Sequence, residues 1–222
     1  MRSEVDLGRK GVVWLQGSAI PVERTGADRA VARLSRPAPP PRPAATPVVA
    51  AAFGTKGFGP VSISGPASAS GPWSGSDPAF GFDSADDPGA SGVLLAGGRR
   101  RKDSLAAIDR WYRRQARERI EAEVEAESAR LRLEPGKVSI RDQRTRWGSC
   151  STSGTLSFNW RLVIGPRAAL RYVVIHELVH VEHHNHSRAF WSALTEAMPD
   201  WKRPAAWLKA NERTLTAYRP RL

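Results

Sequence analysis

The sequence predicts an α+β domain in the second half of the chain. A small antiparallel sheet leads into a helix that carries an H-E-x-x-H pattern, and a largely disordered first half, rich in Pro, Gly, Ala and Ser, precedes it. Three observations predict this. Apolar residues recur at helical steps from Leu105 to Val124, short segments with alternating side chains follow from Val138 to Trp160, and 12 of the 17 prolines and 15 of the 19 glycines fall in residues 1–98. The formal charge of +12 divides as unevenly, with +1 on residues 1–98 and +11 on residues 99–222. The expected organisation is therefore a low-complexity region over 1–98, with at most a short β remnant, and a folded domain over 99–222.

Composition excludes several classes. A single cysteine, Cys150, rules out an intramolecular disulfide framework and a cysteine-rich metal module. The longest strictly apolar run, Val48 to Phe53, is far too short to cross a bilayer. The opening residues Met1 to Asp6 contain no apolar stretch of secretory-signal type. A cytoplasmic protein with no membrane partner is the expectation.

In the first half, Val12 to Leu15 and Ile20 to Val22 have the composition of one or two strands. From Ser35 to Gly98 the chain is dominated by Pro, Ala, Gly and Ser, including Pro39-Pro40-Pro41-Arg42-Pro43, and buries too little apolar surface to offset the entropy of ordering it. No element is assigned there, and a flexible tail is favoured over a polyproline ligand.

The second half begins with a helix. Leu105, Ile108, Trp111, Tyr112, Ala116, Ile120 and Val124 form one stripe, Asp103 or Ser104 is the candidate cap, and Pro135-Gly136 stops whatever remains after Leu131. Val138 and Ile140 then alternate with polar residues, and Thr155 to Trp160 alternates again after the Ser153-Gly154 turn, which together predict the antiparallel sheet. Gly165-Pro166 opens a second helix, whose run Leu170, Tyr172, Val173, Val174, Ile175 implies burial on most sides.

That helix leads into all five histidines of the chain, which lie between 176 and 186. His176-Glu177-Leu178-Val179-His180 is the H-E-x-x-H pattern: four residues is slightly more than one helical turn, so both imidazoles project from one face and can grip one ion. Neutral imidazoles leave Zn²⁺ strongly Lewis acidic, and Glu177 stands beside them where it can take a proton from an attacking water. A third ligand must come from beyond the helix end. His183, seven residues after His176, continues the same stripe. His186, ten residues after, has the spacing of the third histidine in H-E-x-x-H-x-x-G-x-x-H. Position 183 holds His where that pattern has a turn-forming Gly, which argues against a true metzincin, and Asn185, tolerant of left-handed backbone, is the alternative turn residue. His186 is the expected third ligand and His183 the second choice. A histidine-rich surface tract is the competing reading, but an apolar helix that buries unpartnered ionisable groups is costly, and a metal explains them better.

At this point the chain resembles the YgjP-like metallopeptidases, a group related in motif to the SprT-like zinc proteases. The resemblance rests on Thr145-Arg146-Trp147-Gly148-Ser149-Cys150-Ser151, Phe158-Asn159-Trp160-Arg161-Leu162, Tyr172 to His180, Asn185-His186-Ser187, Phe190-Trp191 and Pro199-Asp200, in order over roughly Ile108 to Leu215. It implies a compact zincin-type domain with zinc held by His176, His180 and His186, Glu177 as general base, and a peptide or protein substrate. It also implies a β-rich region before the first helix, of which Val12 to Arg36 resembles at most a remnant before the Pro/Gly-rich tract.

Other features have two readings. Arg144, Arg146 and Trp147 either shape a substrate groove along an edge strand or pack, with the arginines paired to carboxylates such as Asp142. Phe190, Trp191 and Leu194 read as core behind the His186 loop. Cys150 and Met198 read as packing residues rather than a reactive thiol or a methionine turn. The basic run Arg99-Arg100-Arg101-Lys102 and the arginines of the first helix suggest non-specific attraction to nucleic acid or another polyanion, with no recognition motif. A zinc-dependent peptidase is the leading expectation. The alternatives are a hydrolase of nucleotides or phosphoesters and a non-enzymatic zinc-stabilised polyanion-binding module.

Overall fold

The computed structural model describes residues 11–35 and 92–222. Of the expected low-complexity region over 1–98, residues 1–10 and 36–91 lie outside the described residues, and the described parts carry four strands rather than a short β remnant.

The α+β class is observed. Four short strands, β1 (Val12–Leu15), β2 (Ser18–Arg24), β3 (Ala32–Ser35) and β4 (Val93–Ala96), form one sheet in the order β1-β2-β4-β3. β4 pairs in parallel with β2 and antiparallel with β3. Sequence reasoning assigns no element between Ser35 and Gly98, yet Val93–Ala96 occupy an interior position of this sheet. The physical reason is that a run of four apolar residues carries no period of its own, and its partners lie some 60 to 70 residues away in the chain.

Helix α1 (Arg101–Leu131) carries the expected stripe: Ile108, Trp111, Tyr112, Ala116, Ile120 and Val124 are all buried, and Leu105 is half-buried. It starts two residues before the expected cap. Asp103 contributes from inside the first turn instead, its carboxylate accepting the backbone N–H of Arg100 at 3.1 Å. The helix ends on Arg132 in left-handed backbone (φ 58°).

A second sheet is built from β5 (Val138–Arg141), β6 (Gly148–Cys150) and β7 (Leu156–Asn159), in the order β5-β7-β6. Here the pairing differs from the expectation. β6 and β7 form the antiparallel hairpin, but β5 pairs with β7 in parallel, so the sheet is mixed. Alternation of side chains is the same in both pairings, so the pattern carries no information on strand direction. A 3-10 turn (Trp160–Val163) then passes the chain into α2 (Arg167–Val179), followed by α3 (Arg188–Ala197) and α4 (Lys202–Ala217).

One core joins these parts. Val13, Leu15, Ile20, Leu94 and Ala96 of the first sheet are buried in the same cluster as Ile108 and Tyr112 of α1, Phe158 of β7, and Val174 of α2. At its centre the Tyr112 hydroxyl donates to the Trp14 carbonyl and receives the Trp14 N–H, both at 2.8 Å, and meets the Tyr218 hydroxyl at 2.9 Å. The tip of the β1-β2 hairpin reaches the turn that leads to α2, with Gln16 N–H donating to Val163 O and Gly17 N–H to Ile164 O. Arginines of α1 that read as a polyanion face serve this docking: Arg110 donates to the Ala30 carbonyl at 2.6 Å and Arg114 to the Ala32 carbonyl at 3.2 Å.

Candidate metal centre

Helix α2 is buried along Ala169, Leu170, Val173, Val174, Ile175 and Leu178, so its remaining face is fixed in direction. That face presents His176 and, one residue past the helix end, His180, while His186 arrives from the loop before α3. One ring nitrogen from each of the three lies within 4.8 Å of the others, and this is the only such group found among the described residues. His176 Nε2 and His186 Nε2 face each other at 3.0 Å. His180 Nδ1 lies 2.8 Å from the carbonyl oxygen of His183; because a carbonyl only accepts, Nδ1 carries the proton and Nε2 keeps its lone pair for an ion. His183 thus contributes its backbone, and His186 is the histidine that joins the group.

The loop turns differently from the expectation. Asn185 is not in left-handed backbone, since Gln16 and Arg132 are the only non-glycine residues with positive φ among those described. Its side chain makes the turn instead, Oδ1 accepting the Ser187 N–H at 3.1 Å, and the Ser187 hydroxyl then caps α3 by accepting from the Phe190 N–H.

Aromatic rings surround the triad. Phe190 is fully buried with its ring centroid 4.5 to 4.9 Å from those of His176, His180 and His186. Tyr172, one helical turn before His176, packs edge-on against it, stacks on Trp201 at 6.3 Å, and Trp201 stacks on Trp191 at 5.0 Å. Trp191 lies 5.6 Å from His186, which closes a belt of rings between two of the histidines. Trp201 Nε1–H donates to Thr195 Oγ1, and that hydroxyl donates to the Trp191 carbonyl. Behind the belt Ile175, Val179, Leu194 and Met198 form a small apolar cluster with Phe190, so Phe190, Leu194 and Met198 are packing residues as expected, whereas Trp191 is 36% exposed.

Glu177 is 6% exposed and lies against Gly148 of β6, lining one cleft with His176. Burial raises its carboxyl to about 7, against the opposing pull of the Arg146 charge. Burial, with the neighbouring His180 and His186, lowers His176 to about 4, which keeps that ring neutral. His180 is also lowered, mainly by burial. Neutral imidazoles and a carboxyl group near its switching point suit a cation site with an adjacent base.

A cleft of about 280 Å³ opens beside Glu177 between β6, α2 and α4. Val173 and Leu208 are its buried parts, Trp147 and Tyr172 its half-buried walls, and Lys209 and Glu212 are exposed at its edge. Trp147 therefore both packs on the core and lines the cleft. Arg144 and Arg146 are exposed, and Asp142 pairs with Arg161 and with Arg113. Arg161 is buried, and it was absent from the expected core because an arginine is seldom internal. Asn159 is structural: its Nδ2 donates to the Gln143 carbonyl and its Oδ1 accepts the Arg161 N–H. Cys150 is half-buried, and burial, then the Glu177 charge, raises its thiol. The belt residue Tyr172 was legible from its four-residue offset to His176; Trp201, beyond α3, offered no such signal.

The YgjP-like, metallopeptidase domain family matches residues 91–211, more than half of the chain. No curated protein matches. Solved structures that resemble the chain include the metallopeptidase zymogen of Methanocaldococcus jannaschii jannalysin, at 23% identity and TM-score 0.37 over 43% of this chain and 96% of that one. Another is the metallopeptidase zymogen of Pyrococcus abyssi abylysin, at 24% identity and TM-score 0.37 over 46% and 99%.

Proposed function

This chain belongs to the YgjP-like metallopeptidase family, and from that premise we propose that it is a zinc-dependent peptidase whose metal is held by His176, His180 and His186. The observation that carries this reading is the convergence of the three imidazole nitrogens within 4.8 Å beside a buried Glu177. Three imidazole nitrogen donors that leave one position open fit a catalytic zinc better than a structural one, whose four positions are filled by protein. Zinc bound there supplies a Lewis acid for the scissile carbonyl and for water.

The chain's own residues do the rest. His183 fixes the tautomer of His180 through its carbonyl, and the aromatic belt holds the ring of His186. Glu177 accepts a proton from the attacking water and later delivers it to the leaving amine, a role suited to a carboxyl group raised by burial. The cleft beside it, with Val173, Leu208, Trp147 and Tyr172, holds a substrate side chain out of water.

Among the described residues no helix is long and apolar enough to cross a membrane. We propose a cytoplasmic location, in keeping with a chain whose single cysteine forms no intramolecular disulfide.

A panel of peptides and phosphoesters assayed with and without a chelator tests the reading. Peptide cleavage that the chelator abolishes and added zinc restores is expected. Chelator-sensitive cleavage of phosphoesters alone would replace the peptidase with the phosphoesterase, and binding to polyanions without any hydrolysis would replace both.

A further inference from the structure

Gly148 is a glycine that its own backbone does not require. It is absent from the glycines with positive φ among the described residues, and it opens the regular β6-β7 pairing, opposite Phe158. What it lacks is room. A Cβ on Gly148 would lie 2.6 Å from Oε1, 2.7 Å from Cγ and 2.9 Å from Cδ of Glu177, whereas non-bonded carbons pack at about 3.5–4.0 Å.

The clash has few exits. Strand β6 is registered on β7 through Gly148↔Phe158, Ser149↔Ser157 and Cys150↔Leu156, and Phe158 and Leu156 are fully buried, so the strand cannot retreat without opening the core. The α2 backbone is held by buried Val174, Ile175 and Leu178 on either side of Glu177. The part left to move is the Glu177 side chain.

We propose that Gly148 is a positioning residue for Glu177: the absent side chain is the space in which the carboxylate stands next to the histidine triad, so β6 sets the direction of the base. The contact is independent of the peptidase reading, and its effect on turnover rests on that reading.

The test uses the full-length, zinc-loaded chain with Gly148→Ala alone and combined with Glu177→Ala. Alone, Gly148→Ala is expected to lower kcat about 100-fold, the cost of displacing a catalytic group by roughly 1 Å, with KM and zinc content within about twofold. It also lowers Tm by about 3 °C. In the Glu177→Ala background the same substitution leaves Tm unchanged, because the clashing atoms are gone. Rescue of folding by Glu177→Ala, should Gly148→Ala alone fail to fold, supports the proposal in the same way. Wild-type kcat in the single variant, or a Tm penalty that persists in the double variant, overturns it. If the wild-type protein cleaves no peptide, the peptidase reading falls while the melting comparison still decides whether Gly148 makes room for Glu177.

Discussion

At the scale of single residues, four of the five histidines divide by which of their atoms reach the site. His176 and His180 come from the two ends of one helical turn, and His186 returns from a loop whose bend is made by the Asn185 side chain and the Ser187 cap. His183 lies in the spacing that continues the helix stripe, but only its carbonyl oxygen takes part, receiving the His180 Nδ1–H. A backbone contact survives side-chain truncation. His183→Ala should therefore leave zinc content unchanged, while His186→Ala should lower zinc affinity by more than the about 10–100-fold that loss of an outer partner costs. Competition with a chromophoric chelator measures both, and equal losses in the two variants would contradict the division. The histidines that converge were legible because helical spacing translates directly into direction. The role of the His183 carbonyl was not, since no side-chain pattern reports which backbone oxygen a ring nitrogen will meet.

At the scale of elements, the helix that carries the site is held against α1 by charge as well as by apolar packing. Glu123 and Glu127, both about 6% exposed on α1, face Arg167 and Arg171 of α2, with Arg130 closing on Glu127. Burial by itself would raise Glu127, but the hydrogen bonds and charges of Arg171 and Arg130 outweigh it and hold its carboxyl below the usual range. A carboxyl group lowered in the folded state stabilises the fold at pH values above its unfolded pKa of about 4, and that contribution is lost as pH falls through the folded value. Arg171→Ala should cost about 1.5–3 kcal/mol at neutral pH, the worth of a hydrogen bond to a charged group, and the difference from wild type should shrink below about pH 4 as Glu127 is protonated. Denaturant unfolding from pH 3 to 7 reads this, and a penalty independent of pH would refute it. These acidic residues stand outside the apolar stripe of α1 that the sequence shows. Their burial depends on α2 arriving opposite them, which periodicity within α1 cannot show, just as alternation could not show that β5 runs parallel to β7.

At the scale of the whole molecule, the uneven distribution of prolines and glycines suggests a boundary at residue 98, yet strands on both sides of the Pro/Gly-rich stretch share a core with the helices. Val13, Leu15, Ile20 and Leu94 are each at most 1% exposed within it. Burying such side chains is worth about 1.5–3 kcal/mol apiece, so their removal is comparable with the about 5–15 kcal/mol that keeps a domain folded. A fragment of residues 99–222 should accordingly melt without a cooperative transition under conditions where the full chain shows one, and a cooperative transition at the same Tm in the fragment would contradict this. The second half was legible because helices and the metal motif are local. The first sheet was legible only in part: Val12 to Leu15 and Ile20 to Val22 read as strands, whereas β4 becomes a strand only through partners distant in sequence. Glu177 is where these scales meet, buried against Gly148 of β6 and lining one cleft with His176. The most direct measurement is peptide hydrolysis by zinc-loaded Glu177→Gln beside the wild type. About one zinc per chain in both, with cleavage by the wild type only, is the predicted result. Cleavage at the wild-type rate by Glu177→Gln would contradict its assignment as the base.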